Sequence, residues 1–323
     1  MLDGRRVTRL IGHDDVWRAW HSGLASGRMH HGWILAGAEG LGKAGFARAA
    51  AAEWVRQGEA AQPAFASHPD IVVLTPLPAS DDDTRKQAEG RAYATKRNIS
   101  VDQVRQMQRR LVTRPTLGDR RAVIIDSGDD LEKGAVNALL KSLEEPPQGT
   151  VFLLVVHRPG RLLPTIRSRC QVLRFAPLGE RDLLLALDGV GEATEPPLLA
   201  LAGGSPGAAI AFGNLNLGKA SALFARLIEY GDADLILRSE LAASLGQRPD
   251  RETQMAAIEA ARRLLVTRLP AALPDERLRI ADAHQQLVRL GAQAPTYNFD
   301  SGLLLMEIGG LLASVAPSRE GTY

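Results

Sequence analysis

The chain has 323 residues, of which 45% are hydrophobic, and a formal net charge of +2. This length has room for two or three domains of roughly 100–200 residues each, and the apolar content can fill their cores. The near balance of charge argues against a protein that coats nucleic acid by itself. The single cysteine, Cys170, excludes internal disulfides and thiolate zinc clusters, and the seven histidines show no metal-ligand spacing.

The N-terminal stretch MLDGRRVTRL lacks the apolar core of a signal peptide. No apolar run in the sequence approaches the length needed to span a membrane. Internal repeats and low-complexity tracts are absent from the sequence. These observations predict a soluble, cytoplasmic protein with no membrane partner and no bound metal.

The first predicted strand, residues 33–36, leads into a glycine-rich loop and then into a helix over residues 46–55. The loop reads GAEGLGKA. Its backbone amides can face an anion because three of its positions are glycine: Gly37, Gly40 and Gly42. Lys43 supplies a cation, and the loop matches the P-loop pattern G-x-x-x-x-G-K-[ST] except at Ala44. A methyl group cannot bind the magnesium ion used in phosphoryl transfer, so the loop predicts an impaired ATPase-like site.

A second apolar strand is predicted over residues 70–74 and is followed by a polar stretch over residues 76–98. This stretch contains ASDDDTRKQAEGRAYATKRN, with charges of both signs and few apolar residues. Such a composition is typical of a mobile surface loop. Its mixed charges favour a solvated surface over a binding site.

The strand predicted over residues 122–126 has four apolar residues and ends in Asp126. This is the pattern of a Walker B strand, whose carboxylate lies near the magnesium ion of a P-loop ATPase. Any buried strand can show the same pattern, so the motif is weak by itself. The next residue, Ser127, has no carboxylate with which to orient an attacking water, and Asp129 and Asp130 lie too far along the chain. The sequence therefore predicts a second defect in the same site.

Two more strands are predicted at residues 150–156 and 171–175, and a helix over residues 134–145 ends at Pro146-Pro147. Most of the strands are continuous apolar runs, as in a parallel sheet that is buried on both faces. Residues 1–175 are therefore predicted to form one α/β domain.

The strand pattern disappears after about residue 176. Two or three short helices are predicted over residues 179–213, broken by a Gly-Gly-Ser-Pro-Gly run, and a longer helical array from about residue 214 onward. These helices are amphipathic and pack either on one another or on another subunit. The candidate helices of the array are 218–230, 233–245, 250–268, 275–291 and 299–315.

Three stretches together resemble the clamp-loader subunits of bacterial DNA polymerase III, which are proteins of the AAA+ class. The first is HGWILAGAEGLGK at residues 31–43. The second is VIIDSGDDL at residues 123–131, followed by NALLKSLEEPP at residues 137–147. The third is PTIRSRC at residues 164–170. The resemblance is close over the α/β region and weaker over the helical remainder.

The resemblance implies an α/β P-loop domain of AAA+ type at residues 1–175, a small helical lid domain at 176–213 and an all-α collar domain for oligomerisation at 214–323. Subunits of this family form an open five-membered ring with ATP sites between neighbours. The arginine of the SRC triplet reaches into the next subunit's site as an arginine finger, and Arg169 has this position here. From the residues alone, a local ion pair of Arg169 at the start of the last strand is the alternative.

Within this family, the sequence favours a subunit that does not hydrolyse ATP. Subunits of the hydrolysing gamma/tau type carry a P-loop threonine or serine, a Walker B glutamate, a polar sensor after the fourth strand and a lid arginine. The corresponding positions here are Ala44, Ser127, Val156 or His157, and Gly207. Many members also carry a four-cysteine zinc module after the P-loop helix, and these cysteines are missing here.

The implied function is that of a structural clamp-loader subunit that supplies Arg169 in trans and helps to load the sliding clamp. The implied partners are gamma/tau-type motor subunits and the delta subunit and, through the complex, the sliding clamp and primer–template DNA. No cofactor is expected, although a glycine-rich loop can bind ATP or ADP without hydrolysing it. Two alternatives stay open: an active ATPase of the motor type, and a nucleotide-binding switch without hydrolysis. The vestigial nucleotide site would comprise Gly37, Gly40, Gly42, Lys43 and Asp126.

Overall fold

The computed structural model describes residues 10–56, 63–190, 196–246, 248–294 and 299–317. The chain divides into two compact units, which we call unit 1 (residues 1–176) and unit 2 (residues 177–323). Among the described residues, no helix has the length and apolar character needed to cross a membrane.

Unit 1 is built on a five-stranded parallel sheet in the order β2-β3-β4-β1-β5. The inner strands β3, β4 and β1 are buried at nearly every position, which explains their uninterrupted apolar sequences. The predicted α/β fold with a parallel sheet is confirmed. The strands are β1 Gly32–Ala36, β2 Ile71–Leu74, β3 Arg121–Asp126, β4 Thr150–Val156 and β5 Gln171–Arg174.

Helices cover both faces of this sheet, because alternate residues of each strand point to opposite sides. On β1, Ile34 belongs to a core with α4 and α5, whereas Leu35 belongs to a core with α1 and α2. The helices of unit 1 are α1 Asp14–Ala25, α2 Lys43–Val55, α3 Asp81–Ala88, α4 Val101–Leu111, α5 Lys133–Glu144 and α6 Pro164–Arg167.

Helix α3 shows that the prediction of a surface loop over residues 76–98 was wrong for residues 81–88, which are helical. The Ser80 hydroxyl oxygen accepts a hydrogen bond from the Asp83 N–H at 3.1 Å and caps the first turn of the helix. Lys86 forms an ion pair with Asp82 at 2.6 Å, one helical turn away. No residue of α3 is buried, so the charged composition identified a solvated segment, whereas the cap and the charge spacing favoured a helix.

In unit 2, every described element is an α-helix. One continuous core runs from Leu183 in α7 to Val315 after α14 and includes residues on both sides of position 213. The predicted border between a lid and a collar therefore stays a prediction. The helices are α7 Glu180–Asp188, α8 Pro196–Ala202, α9 Pro206–Asn214, α10 Gly218–Tyr230, α11 Ile236–Ser244, α12 Arg251–Arg268, α13 Pro274–Gln293 and α14 Ser301–Ala313.

Candidate functional site

The P-loop lies at the carboxyl edge of the sheet, between β1 and α2. Gly40 and Gly42 have φ angles of +80° and +83°, a left-handed conformation that glycine adopts readily. Gly42 is the N-cap of α2, and Lys43 is the first residue of that helix. The structure thus brings Gly37, Gly40, Gly42 and Lys43 into one strand–loop–helix turn, the geometry from which backbone N–H groups can bind phosphate.

The ammonium group of Lys43 points into the loop itself. Its Nζ donates hydrogen bonds to the carbonyl oxygens of Gly37 at 2.7 Å and Ala38 at 2.5 Å. Lys43 is only 2% exposed. In a working P-loop this lysine contacts the β- and γ-phosphates. Here two of the three N–H donors of the ammonium are bonded to main-chain oxygens of the loop.

Side chains from other parts of unit 1 close over the loop. Leu10 packs so tightly against Gly42 that a Cβ at position 42 would overlap Leu10 Cδ1. The His13 Nε2 atom lies 3.1 Å from the carbonyl oxygen of Leu41, and the His13 ring lies 4.8 Å from the ring of Phe175. His13 and Phe175 are both buried. These contacts cover the P-loop with apolar and aromatic groups.

Asp126 ends β3 at the same edge of the sheet. Burial raises the pKa of its carboxyl group above the usual range, and the charges of His157, Arg48 and Lys43 oppose that shift without cancelling it. A raised pKa favours the protonated form, whereas a metal ligand must be ionised. The charge of Lys43 therefore acts on the carboxyl group of Asp126, the aspartate of the predicted Walker B strand. Burial disfavours the ionised form of this carboxyl group.

The residues after Asp126 are used in local contacts. The Ser127 hydroxyl donates to Asp130 Oδ2 at 2.8 Å. The Asp129 carboxylate accepts the backbone N–H of His157 at 2.5 Å and that of Arg158 at 3.0 Å. Asp129 thus ties the end of β3 to the end of β4. Asp129 and Asp130 thus both accept hydrogen bonds from protein donors.

Arg169 lies at the opposite, amino-terminal edge of the sheet, where its carbonyl oxygen is next to Gly32 at the start of β1. Its guanidinium forms an ion pair with Glu144 Oε1 at 2.8 Å. It also donates to the carbonyl oxygen of Thr165 at 2.9 Å and to Ser168 Oγ at 3.3 Å. The local ion pair that the residues alone allowed is present. The Arg169 side chain nevertheless remains 35% exposed, so one part of it faces solvent.

The neighbouring cysteine has a different role. Burial raises the pKa of the Cys170 thiol to about 12, so it stays protonated and unreactive near neutral pH. Its Sγ packs where a side chain on Gly32 would stand. Cys170 therefore anchors the turn from α6 into β5 and fixes the backbone from which Arg169 projects. Among the described residues, no cluster of three or more histidine, cysteine or acidic side chains could hold a metal ion.

A parallel α/β sheet with a P-loop after its first strand is the P-loop architecture of the AAA+ class. The half-buried Arg169 stands before the last strand. Residues 12–179 match the family described as DNA polymerase III, delta subunit. This match covers more than half of the chain, and the chain belongs to this family.

Curated relatives point to the same family. The chain is 39% identical over 197 residues to DNA polymerase III subunit delta' of Pseudomonas aeruginosa, covering 54% of this chain and 53% of that protein. It is 40% identical over 119 residues to subunit delta' of Escherichia coli, covering 36% of each. It is 29% identical over 206 residues to subunit gamma/tau of Mycobacterium bovis, covering 61% of this chain and 34% of that protein. The matches therefore span a third to about half of these relatives, and the predicted resemblance to the clamp-loader subunits of bacterial DNA polymerase III is confirmed.

Two features of the site were missed from the sequence. The carboxylate partner of Arg169, Glu144, lies within the stretch NALLKSLEEPP, but no local spacing connects this stretch to the SRC triplet. The cover formed by Leu10 and His13 comes from residues before α1 that match no motif. Both features depend on tertiary contacts, and a sequence motif describes only local order.

Proposed function

We propose that this protein is a non-hydrolysing subunit of the DNA polymerase III clamp loader and supplies Arg169 to the ATP site of a neighbouring subunit. The position of Lys43 is the observation that carries the first part. Its ammonium is buried and donates two of its three N–H groups to the loop's own carbonyl oxygens, which compete with a terminal phosphate for this charge. Ala44 offers no oxygen to magnesium, and Ser127 offers no carboxylate to an attacking water.

The second part concerns the charge that Arg169 can deliver. A guanidinium beside the transferring phosphate of a neighbour stabilises the transition state and is worth about 10³–10⁵-fold in rate. The ion pair with Glu144 is partly exposed, and such pairs contribute about 0–1 kcal/mol. A triphosphate carries several negative charges and offers a stronger electrostatic partner. The contact with Glu144 therefore does not prevent Arg169 from acting on a neighbour's nucleotide.

The proposed partners are motor subunits of the gamma/tau type and the delta subunit. The sliding clamp and primer–template DNA would be contacted through the assembled complex. The similarity to subunits named delta' and gamma/tau supports this assignment. We propose that the helices of unit 2 provide the oligomerisation surface, and that the chain requires neither nucleotide nor zinc.

The test is reconstitution of the clamp loader with this chain, its motor subunits and delta. We expect the chain to enter the complex, and we expect the isolated chain to show no ATP hydrolysis and no saturable ATP or ADP binding by calorimetry. A turnover near one per second that is abolished by Lys43→Ala would instead establish a motor-type ATPase. Saturable micromolar binding without turnover would establish a nucleotide-binding switch.

A further inference from the structure

We infer that Glu144 is a positioning residue for Arg169: its carboxylate holds the guanidinium oriented for a phosphate group of the neighbouring subunit. This inference rests on the proposed function of Arg169. It goes beyond that function because it assigns a role to a residue in a different motif.

The contacts fix the plane of the guanidinium. Nη1 donates to the Thr165 carbonyl oxygen and to Ser168 Oγ, and Nη2 meets Glu144 Oε1. A guanidinium has five N–H donors in one rigid plane. With three of them engaged, one N–H on Nη2 and the N–H on Nε have no protein partner among the described residues. The remaining donors form part of the fork that binds phosphate oxygens in a bidentate manner.

The backbone segments that carry Glu144 and Arg169 pack on the same hydrophobic core, so packing sets the distance between them. Glu144 is the last residue of α5, directly after Leu143, which is 1% exposed. Ile166 in α6 is fully buried in the same hydrophobic cluster as Leu143. Glu145 donates its backbone N–H to the Lys141 carbonyl oxygen and completes the last turn of α5. The carboxylate of Glu144 is therefore presented from a fixed backbone.

Exposure of the pair argues for a role in orientation rather than in stability. The side chains of Glu144 and Arg169 are 48% and 35% exposed, so solvent screens their attraction. A free arginine side chain samples many rotamers and must lose this freedom to reach a phosphate. Holding the side chain in one rotamer in advance lowers the entropic cost of reaching the transition-state geometry.

Glu145 provides a matched control. It is the next residue, has the same charge and is exposed. No ion pair or side-chain hydrogen bond involves Glu145 among the described residues. Glu144→Gln and Glu145→Gln thus remove the same charge one position apart, and only the first removes the contact with Arg169.

The experiment uses complexes reconstituted with full-length Glu144→Gln, Glu145→Gln, Arg169→Ala or the double variant Glu144→Gln/Arg169→Ala. ATP hydrolysis is measured at saturating clamp and primed DNA, with kcat and KM determined separately. We expect Glu144→Gln to lower the Arg169-dependent part of kcat about three- to tenfold and to leave KM unchanged. Glu145→Gln should match the wild type. In the Arg169→Ala background, Glu144→Gln should have no further effect, because it acts only through Arg169.

The outcomes separate this inference from the proposed function. If Arg169→Ala has no effect on hydrolysis or loading, the proposed arginine finger is wrong. If Arg169→Ala has its effect but Glu144→Gln equals Glu145→Gln, or if Glu144→Gln raises the rate, only the positioning role is wrong. Arginine-selective NMR of the isolated chain gives a second readout: restricted rotation of the Arg169 guanidinium is expected in the wild type and in Glu145→Gln, and its retention in Glu144→Gln would also overturn the inference.

Discussion

Lys43 and Arg169 lie at opposite edges of the unit 1 sheet, and their surroundings differ. At the carboxyl edge, Lys43 is 2% exposed and bonded to carbonyl oxygens of its own loop. At the amino edge, Arg169 is 35% exposed and pairs with the half-exposed side chain of Glu144. The Lys43 ammonium points into its own loop, whereas part of the Arg169 guanidinium faces solvent.

This difference teaches that the backbone shape of a motif and the contacts of its charged side chain are separate properties. The glycines of the P-loop still adopt the left-handed turns, and the helix still begins at Lys43. The partner of the Lys43 ammonium is main chain of the same loop. Packing maintains the backbone shape of a motif. A charged group that acts in catalysis must in addition be accessible to solvent or to a neighbouring subunit. Substitutions at the two cations should therefore have different consequences.

The largest expected effect is that of Arg169→Ala on the assembled complex. We expect clamp loading to fall by more than tenfold and the total ATPase rate to fall partially, because only one of several ATP sites loses its guanidinium. Arg169→Lys should rescue poorly, since an ammonium lacks the planar fork of donors. Loading assays on primed DNA provide the measurement. Wild-type loading by Arg169→Ala complexes would remove the contrast between the two ends.

The next effect concerns stability at the other end. Lys43→Ala leaves the carbonyl oxygens of Gly37 and Ala38 without their charged donor, and we expect unit 1 to lose roughly 1–3 kcal/mol of unfolding free energy. Clamp loading per assembled complex should stay at the wild-type level. Urea unfolding measures the first quantity, with Lys133→Ala at an exposed position as the control. Unchanged stability together with lost loading would show that Lys43 still serves a nucleotide.

A smaller effect is expected from the pH dependence of Asp126. The pKa of Asp126 is raised in the folded state. Protonation of Asp126 therefore stabilises the folded protein below the usual aspartate pKa of about 3.9, and this stabilisation is lost as the pH rises through the pKa of the folded state. Asp126→Asn should therefore be neutral or slightly stabilising at pH 7. Asp129→Asn should destabilise, because Asp129 accepts two backbone N–H groups. The free energy of unfolding of both variants, measured from pH 3 to pH 8, tests this comparison. A clear loss of stability in Asp126→Asn at pH 7 would contradict the raised pKa of Asp126.

The smallest expected effect is that of restoring the missing hydroxyl. Ala44→Thr should produce no ATP turnover, because Ser127 still lacks a carboxylate and Lys43 is still bonded to the loop. Adding Ser127→Glu should not restore activity either while Leu10 packs on Gly42. A coupled ATPase assay on the isolated variants is sufficient. Turnover in Ala44→Thr would mean that the inward position of Lys43 is easily reversed.

The parts of unit 1 that sequence alone could predict are those set by local pattern. The apolar strands and the turn around Gly42 follow from burial and backbone conformation, so all five strands were predicted within one residue at either end. Helix α3 was missed because overall polarity was given more weight than the cap at Ser80. The Lys43 contacts and the Glu144 pairing could not be predicted, since both depend on where remote backbone atoms lie. The roles of Arg169 and of the vestigial loop remain predictions.

The strand order has a consequence for synthesis of the chain on the ribosome. Among the residues that the structure describes, the strand partners of β1 are β4 and β5, whose first residues are Thr150 and Gln171. The apolar segment of β1 therefore leaves the ribosome before β4 and β5 and has no strand partner until most of unit 1 has been translated. Non-local pairing of this kind is slow, and an exposed apolar strand is prone to aggregation. The nascent chain should thus depend on chaperone protection until β4 is complete, and translational pausing before residue 150 should lower the yield of folded protein.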